Sequence, residues 1–343
     1  PAIVDALAAR VEHGIFGYSE PPEALAPTIA DALLRTYGWR VASDWFVWLP
    51  SIVVGLNVVS RAFAEAGESI LTGVPIYPPF LSAPPYASRD VVRVAHRLST
   101  DGARWEWDFD ALEAAVTPHT RVLLLCSPHN PTGRVWTREE LDRLARFAQR
   151  HNLTVVSDEI HSGLVLDANC RHLPFATLGD DASARSVTLL SASKTFNLPT
   201  LGCAFAIVPD AQRRARMKRV MQGIVHHVGG LGYVATLAAY RDGQAWQSAL
   251  IEYLRGNRDL VEREIAGMRG LRTWHVEATY LSWIDARALP VDNALRFFEN
   301  NGVGLYDGAL FGAPGYLRLN FACPRNLLRE ALTRMRAAID GLG

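Results

Sequence analysis

The sequence predicts an α/β chain: a large, mostly parallel sheet domain covered by helices, followed by a smaller α+β domain. Three observations carry this. Apolar runs bounded by turn signals alternate with helical patterns through the middle of the chain, as in successive strand–helix–strand units. After Gln244 the pattern changes to one long helix and then to alternating strands. At 343 residues the chain exceeds the size at which a single core keeps growing, which favours two packed lobes.

Taken in order, PAIVDALAAR already carries helical periodicity, with Pro1 in the first turn and no leader pattern, so the expectation is that further residues precede it. LPSIVVGLNVVSRAF predicts a helix capped by Ser51, with Leu56, Val59 and Phe63 on its inner face. The clearest strands are VLLLC (122–126), TVVS (154–157) and VTLLS (187–191). Between the first two, TREELDRLARFAQRH forms a helix in which Thr137 and Glu140 make a capping box and Leu141, Leu144 and Ala148 mark the buried face. A helix over 245–266, strands in YLSWID and YLRLNFA, and a helix opened by Pro324 complete the small lobe. The boundaries are an N-terminal segment 1–35, a large domain 36–244 and a small domain 245–343. No flexible linker separates them, so the lobes are expected to share a tight interface.

Composition excludes several classes. The chain holds 35 basic and 35 acidic residues, and no Lys/Arg run marks a nucleic-acid or membrane surface. The implied partner is a small molecule. VVSRAF is broken by Arg61 and YVATLAAYR by Arg241, so no stretch reaches membrane-spanning length and a soluble protein is expected. Cys126, Cys170, Cys203 and Cys323 lie far apart without paired spacing, which predicts no zinc site or disulfide framework but reduced core thiols in a cytoplasmic protein.

Three short segments stand where parallel strands end, the place where ligands bind in such sheets. SPHNPTG offers Asn130, SDEIH offers Asp158 and SASKTFN offers Lys194. Each alone has an ordinary explanation: an Asn-Pro turn, a helix-capping Asp, a solvated Lys. Their order and spacing together are the specific signal. In YLRLNFA, alternation puts Arg318 and Asn320 on the face opposite Leu317, Leu319 and Phe321.

These segments, with YLRLNFACP at the end, resemble the fold-type I pyridoxal 5′-phosphate (PLP) aminotransferase superfamily. RVEHGIFGY, HNPTGRVWTREEL, VVSDEIHSGLV and SKTFNL are similar to its MalY/PatB branch of carbon–sulfur β-lyases, and the likeness runs over essentially the whole chain. The resemblance implies that PLP is the cofactor and that Lys194 both holds it and removes the substrate Cα proton. It places Asp158 against the ring nitrogen and Asn130 against the ring hydroxylate. His161 stands where many relatives have a tyrosine that touches the same oxygen, and a structural histidine is equally open. The amides of Ile52 and Val53 and the hydroxyls of Ser191 and Ser193, Ser191 preferred, are implied phosphate donors. Gly202 occupies a place where many aminotransferases carry a phosphate-binding arginine.

Tyr77 matches the aromatic that stacks on the cofactor ring and passes protons. Arg318 matches the clamp on the substrate carboxylate, a surface salt bridge being its other reading. Tyr18 matches a tyrosine donated across a homodimer to the partner's cofactor phosphate, a core tyrosine being the alternative. Segment 1–35 then joins the small domain to the dimer rim. Pro78, the run Pro199-Thr200-Leu201 and the stretch 226–230 depart from the branch and point to an unusual substrate.

The branch implies β-elimination from cystathionine or another cysteine conjugate. Transamination uses the same residues, and fold and motifs do not separate the two. A third reading is a PLP-binding regulator that acts by contacting another protein.

Overall fold

The computed structural model describes residues 1–342. In chain order the large lobe contains β1 (Phe46–Leu49), β2 (Ser69–Val74), β3 (Asp90–Ala95), a short hairpin of β4 (Arg97–Leu98) and β5 (Trp105–Glu106), β6 (Thr120–Cys126), β7 (Thr154–Asp158), β8 (Ser186–Leu190) and β9 (Ala204–Ile207). Its helices are α1 (Ala2–Glu12), α2 (Leu25–Tyr37), α3 (Ile52–Phe63), α4 (Pro79–Tyr86), α5 (Phe109–Ala115), α6 (Arg138–Arg150), α7 (Asp180–Arg185), α8 (Ala211–Met221) and α9 (Gly230–Asp242).

Among the described residues the main sheet has seven strands in the order β1-β9-β8-β7-β6-β2-β3. Strands β3, β2, β6, β7 and β8 run parallel, while β9 is antiparallel to both neighbours. LLLC reads as an unbroken apolar run because β6 is covered on both faces. Val122 and Leu124 pack with Leu56 and Val59 of α3 and Met217 of α8. Leu123 and Leu125 pack on the other side, with Leu112 of α5 and Leu141 and Leu144 of α6. The chain leaves β2 for β3 and returns on the far side to β6, so strand order reverses there and a crevice opens at the carboxyl ends.

Two helix starts position the site. Ser51 Oγ accepts from Val54 N at 3.2 Å and begins α3, which buries Leu56, Val59 and Phe63. Each such side chain contributes roughly 1.5–3 kcal/mol. The capping box of α6 is formed: Glu140 N donates to Thr137 Oγ1 at 3.2 Å and Thr137 N to Glu140 Oε2 at 2.8 Å.

The small lobe has an antiparallel sheet in the order β10 (Arg272–Thr273), β11 (Leu281–Asp285), β13 (Tyr316–Asn320), β12 (Tyr306–Asp307). It is covered by α10 (Gln244–Ala266), α11 (Ala294–Asn300) and α12 (Arg325–Asp340). Ile284, Leu317 and Leu319 face these helices, whereas Trp283 and Tyr316 project from the opposite face toward the large lobe. The lobes are stitched together. Arg134 is 2% exposed and donates to Glu277 at 3.0 Å, to Glu140 at 2.9 Å and to the Trp105 carbonyl. The Ala278 and Thr279 amides donate to the carbonyls of Gly133 and Leu164, both at 2.9 Å.

Two expectations are corrected. Residues 1–35, expected to join the small domain, lie on the large one: α1 rests against α9, and Leu25, Ile29 and Leu33 share a core with Phe46, Phe205 and Ile207. The apolar stripe of α2 is matched by the faces of β1 and β9. All four cysteines are free, but only Cys126 and Cys203 are buried, while Cys170 and Cys323 are half-buried. Among the described residues no helix is long and apolar enough to cross a membrane.

Candidate active site

Strand alternation explains why chemically useful groups converge. Leu124 and Cys126 on β6, Val156 and Asp158 on β7, and Leu189 with Ser191 at the end of β8 share the sheet face that packs on α3. Beyond these strand ends lies a cavity of about 410 Å³. It is lined by Ile52, Val53, Tyr77, Asn130, Asp158, His161, Ser191, Ser193, Lys194 and Arg318. Tyr18 alone among the predicted site residues is elsewhere, with its side chain fully exposed.

Asp158 is 3% exposed and accepts one hydrogen bond, from Ile160 N at 3.1 Å. Burial raises its pKa to about 7, against the lowering effects of that amide and of Lys194, with Glu159 adding to the rise. Lys194 is pushed below the usual lysine range, first by burial and then by Arg318, while Asp158 opposes the shift. His161 is driven down to about 3 by burial, with Lys194 and Arg318 adding to the effect, so its imidazole is neutral. Its Nδ1 is buried without a partner, and its ring meets Tyr280 edge-on at 5.9 Å. Burial also raises Tyr77, with Asp158 contributing.

Arg318, 8% exposed, donates from Nη1 to Asn130 Oδ1 at 3.0 Å, which leaves the Asn130 amide group free to donate. Among the described residues Arg318 has no carboxylate partner. The surface salt bridge is therefore not what this side chain makes. Ser191 donates to the Cys203 carbonyl at 2.7 Å and accepts from Ser193 N at 3.1 Å. The Ser191 proton is thus engaged here, while the Ser193 hydroxyl has no hydrogen-bond partner among the described residues. The cause is the antiparallel approach of β9, which brings Cys203 against the end of β8.

The chain itself tests whether PLP fits. A buried carboxylate with one hydrogen bond is unfavourable unless a cation meets it, and a protonated pyridine nitrogen is such a cation. At the start of α3, Gly55 N bonds to Ser51 O and Val54 N to Ser51 Oγ, so the Ile52 and Val53 amides precede the helical ladder and are open to an anion. An amine of lowered pKa shares the cavity. These residues suit the ring, phosphate and aldehyde of PLP. Among the described residues no cluster of three or more His, Cys, Asp or Glu side chains could hold a metal ion.

Tyr280, Tyr306 and Asn320 also line the cavity, and sequence reasoning missed them as site residues. Asn320 shares the strand face of Arg318, which was a usable signal. Tyr306 pairs directly with Arg318 across β12 and β13, a contact that no local pattern announces.

Known proteins resemble this chain over nearly its whole length. The aminotransferase class I and II family matches residues 2–335. Cystathionine beta-lyase PatB of Bacillus subtilis is 34% identical, over 99% of this chain and 89% of that protein. The crystal structure of OvoB superposes with a TM-score of 0.96 at 46% identity, covering 98% of this chain and 89% of that one. Cystalysin from Treponema denticola, whose structure contains a pyridoxal 5′-phosphate cofactor, superposes with a TM-score of 0.95 at 26% identity, covering 100% of this chain and 88% of that one. A lysine, an aspartate and an asparagine at three adjacent strand ends, an arginine from the second lobe and a match over nearly the whole length lead to one assignment: the chain belongs to the aminotransferase class I and II family.

Proposed function

We propose that this protein is a PLP-dependent carbon–sulfur β-lyase that cleaves cystathionine or a related cysteine conjugate to a thiol, pyruvate and ammonia. The likeness to PatB over 99% of the chain carries the choice of reaction, and the cavity supplies groups suited to it. When bound, PLP supplies the electron sink that lets the substrate Cα proton leave.

The chain's own residues do the rest. Lys194 holds the cofactor; once the substrate amine takes its place, the freed Nζ removes the Cα proton, a task helped by its lowered pKa. Loss of that proton drives the Cβ–S bond to break with its electron pair leaving on sulfur, which takes a proton to become the thiol. The released enamine adds water and gives pyruvate and ammonia. Asp158 would keep the ring nitrogen protonated, and the Asn130 amide, free to donate, would meet the ring hydroxylate. His161, a neutral imidazole lining the same cavity, would meet that oxygen, and Tyr77 would stack on the ring. The Ile52 and Val53 amides and the hydroxyls of Ser191 and Ser193 would bind the phosphate, and Arg318 takes the substrate carboxylate. The protein works in the cytoplasm.

L-cystathionine given without a keto acid is expected to yield pyruvate over many turnovers, because elimination returns the cofactor to its starting form. Turnover that stalls until a keto acid is added would mark an aminotransferase.

The working unit is a homodimer in which Tyr18 reaches the partner's phosphate. Ile15, Phe16 and Tyr18 are exposed, a cluster that a second subunit would cover. Mixing inactive Lys194→Ala with inactive Tyr18→Asp and exchanging subunits should make half the dimers hybrids, each with one doubly lesioned and one intact site. About a quarter of wild-type activity should then return. Activity near zero despite hybrids counted by native mass spectrometry would mean that Tyr18 serves its own subunit or neither.

A further inference from the structure

We propose that Phe311 is the positioning residue that holds the Arg318 guanidinium in place for the substrate carboxylate, an inference that rests on reading Arg318 as the carboxylate site. A buried arginine needs something to fix its plane, and among the described residues no acidic side chain does so. Its one hydrogen-bonded partner among the described residues is Asn130, and its Nε is buried without a partner. Two aromatic rings lie against it: Arg318 Cζ is 4.7 Å from the centre of the Phe311 ring and 4.6 Å from that of Tyr306.

Aromatic rings against a guanidinium attract its charge while leaving the in-plane N–H groups free to meet a carboxylate. An acidic partner would attract it as well, but would occupy those donors. This arrangement keeps the cation both oriented and available.

Phe311 is itself firmly held. It is 1% exposed, and its ring packs on Trp283 at 5.5 Å. Trp283 stacks on Tyr316 at 5.3 Å with 5° between planes, and Tyr316 meets Trp105 of the large lobe at 5.9 Å. The Phe311 carbonyl accepts from Ile76 N at 3.0 Å, one residue before Tyr77. A single residue thus touches Arg318 through its side chain and the Tyr77 segment of the large lobe through its backbone. Phe311 sets where the carboxylate site stands relative to the half of the cavity that holds the cofactor.

The test compares glycine with methylamine, amines that differ by the carboxylate, each titrated into PLP-loaded protein and followed by the cofactor absorbance. Phe311→Leu keeps apolar bulk but removes the ring. It is expected to weaken glycine about thirtyfold, the scale of one desolvated cation–π contact, and to leave methylamine unchanged. For a turned-over amino acid, KM rises while kcat stays within about twofold. Phe311→Tyr, which restores a ring, recovers glycine affinity. Equal losses for glycine and methylamine, or a folded Phe311→Tyr as weak as Phe311→Leu, would overturn the proposal. Should Phe311→Leu not fold, Phe311→Met, which also keeps apolar bulk without a ring, gives the same decision: a glycine-selective loss supports the proposal, and no selective loss overturns it. Glycine binding needs no lyase turnover, so its outcome is separate from the pyruvate experiment.

Discussion

Lys194→Ala is expected to abolish pyruvate formation to within about a thousandth of wild type or less, because one change removes both the covalent tether and the base. General-base catalysis alone accounts for about 10²–10⁴ in rate. The tether has its own readout. Borohydride reduces the carbon–nitrogen double bond between lysine and cofactor to a stable amine, so the wild-type protein keeps PLP through denaturation and Lys194→Ala loses it. The chain is well suited to this experiment, since its one other lysine is Lys218, exposed on α8. Mass mapping should place the whole label on Lys194. Label on Lys218, or undiminished label in Lys194→Ala, would remove Lys194 from the centre of the site.

Asp158→Asn is expected to lower kcat by about 10²–10³, the cost of losing one preorganised electrostatic partner, while borohydride still fixes the cofactor on Lys194. The amide cannot hold the ring nitrogen protonated, so cofactor attachment survives and its use as an electron sink does not. Equal turnover by Asp158→Asn would show that the ring nitrogen needs no charge.

A pH signature accompanies this in the cofactor-free protein. Burial lifts the folded-state pKa of Asp158 to about 7, above the unfolded value near 4. The folded chain therefore holds that proton more tightly than the unfolded chain, and the stability it contributes is complete below about pH 4 and lost as pH rises through 7. Cofactor-free Asp158→Asn should accordingly unfold at higher denaturant than wild type at pH 8, by about 2–4 kcal/mol, with the gap closing between pH 7 and pH 4. A gap that widens toward acid would reverse the sign and with it the claim that burial dominates at Asp158.

Much of the site was legible because its parts are local. Asp158 ends an apolar strand, Asn130 and Lys194 follow theirs by a few residues, and alternation alone put Arg318 opposite Leu317 and Leu319. The capping pair Thr137 and Glu140 and the Ser51 cap were readable for the same reason: both partners lie within one turn. The sequence by itself thus determined the strand ends, the helix starts and which residue stands at each, since these depend on period, propensity and bonds between near neighbours. It could not say that Ser191 gives its proton to Cys203, that Tyr306 faces Arg318, that α2 joins the large lobe or that Phe311 reaches both Arg318 and the Tyr77 segment. Those pairings join residues far apart in the chain. Only the packed sheet order and the docking of the lobes decided them, because a side chain's last hydrogen bond or ring contact is set by whichever distant surface arrives beside it.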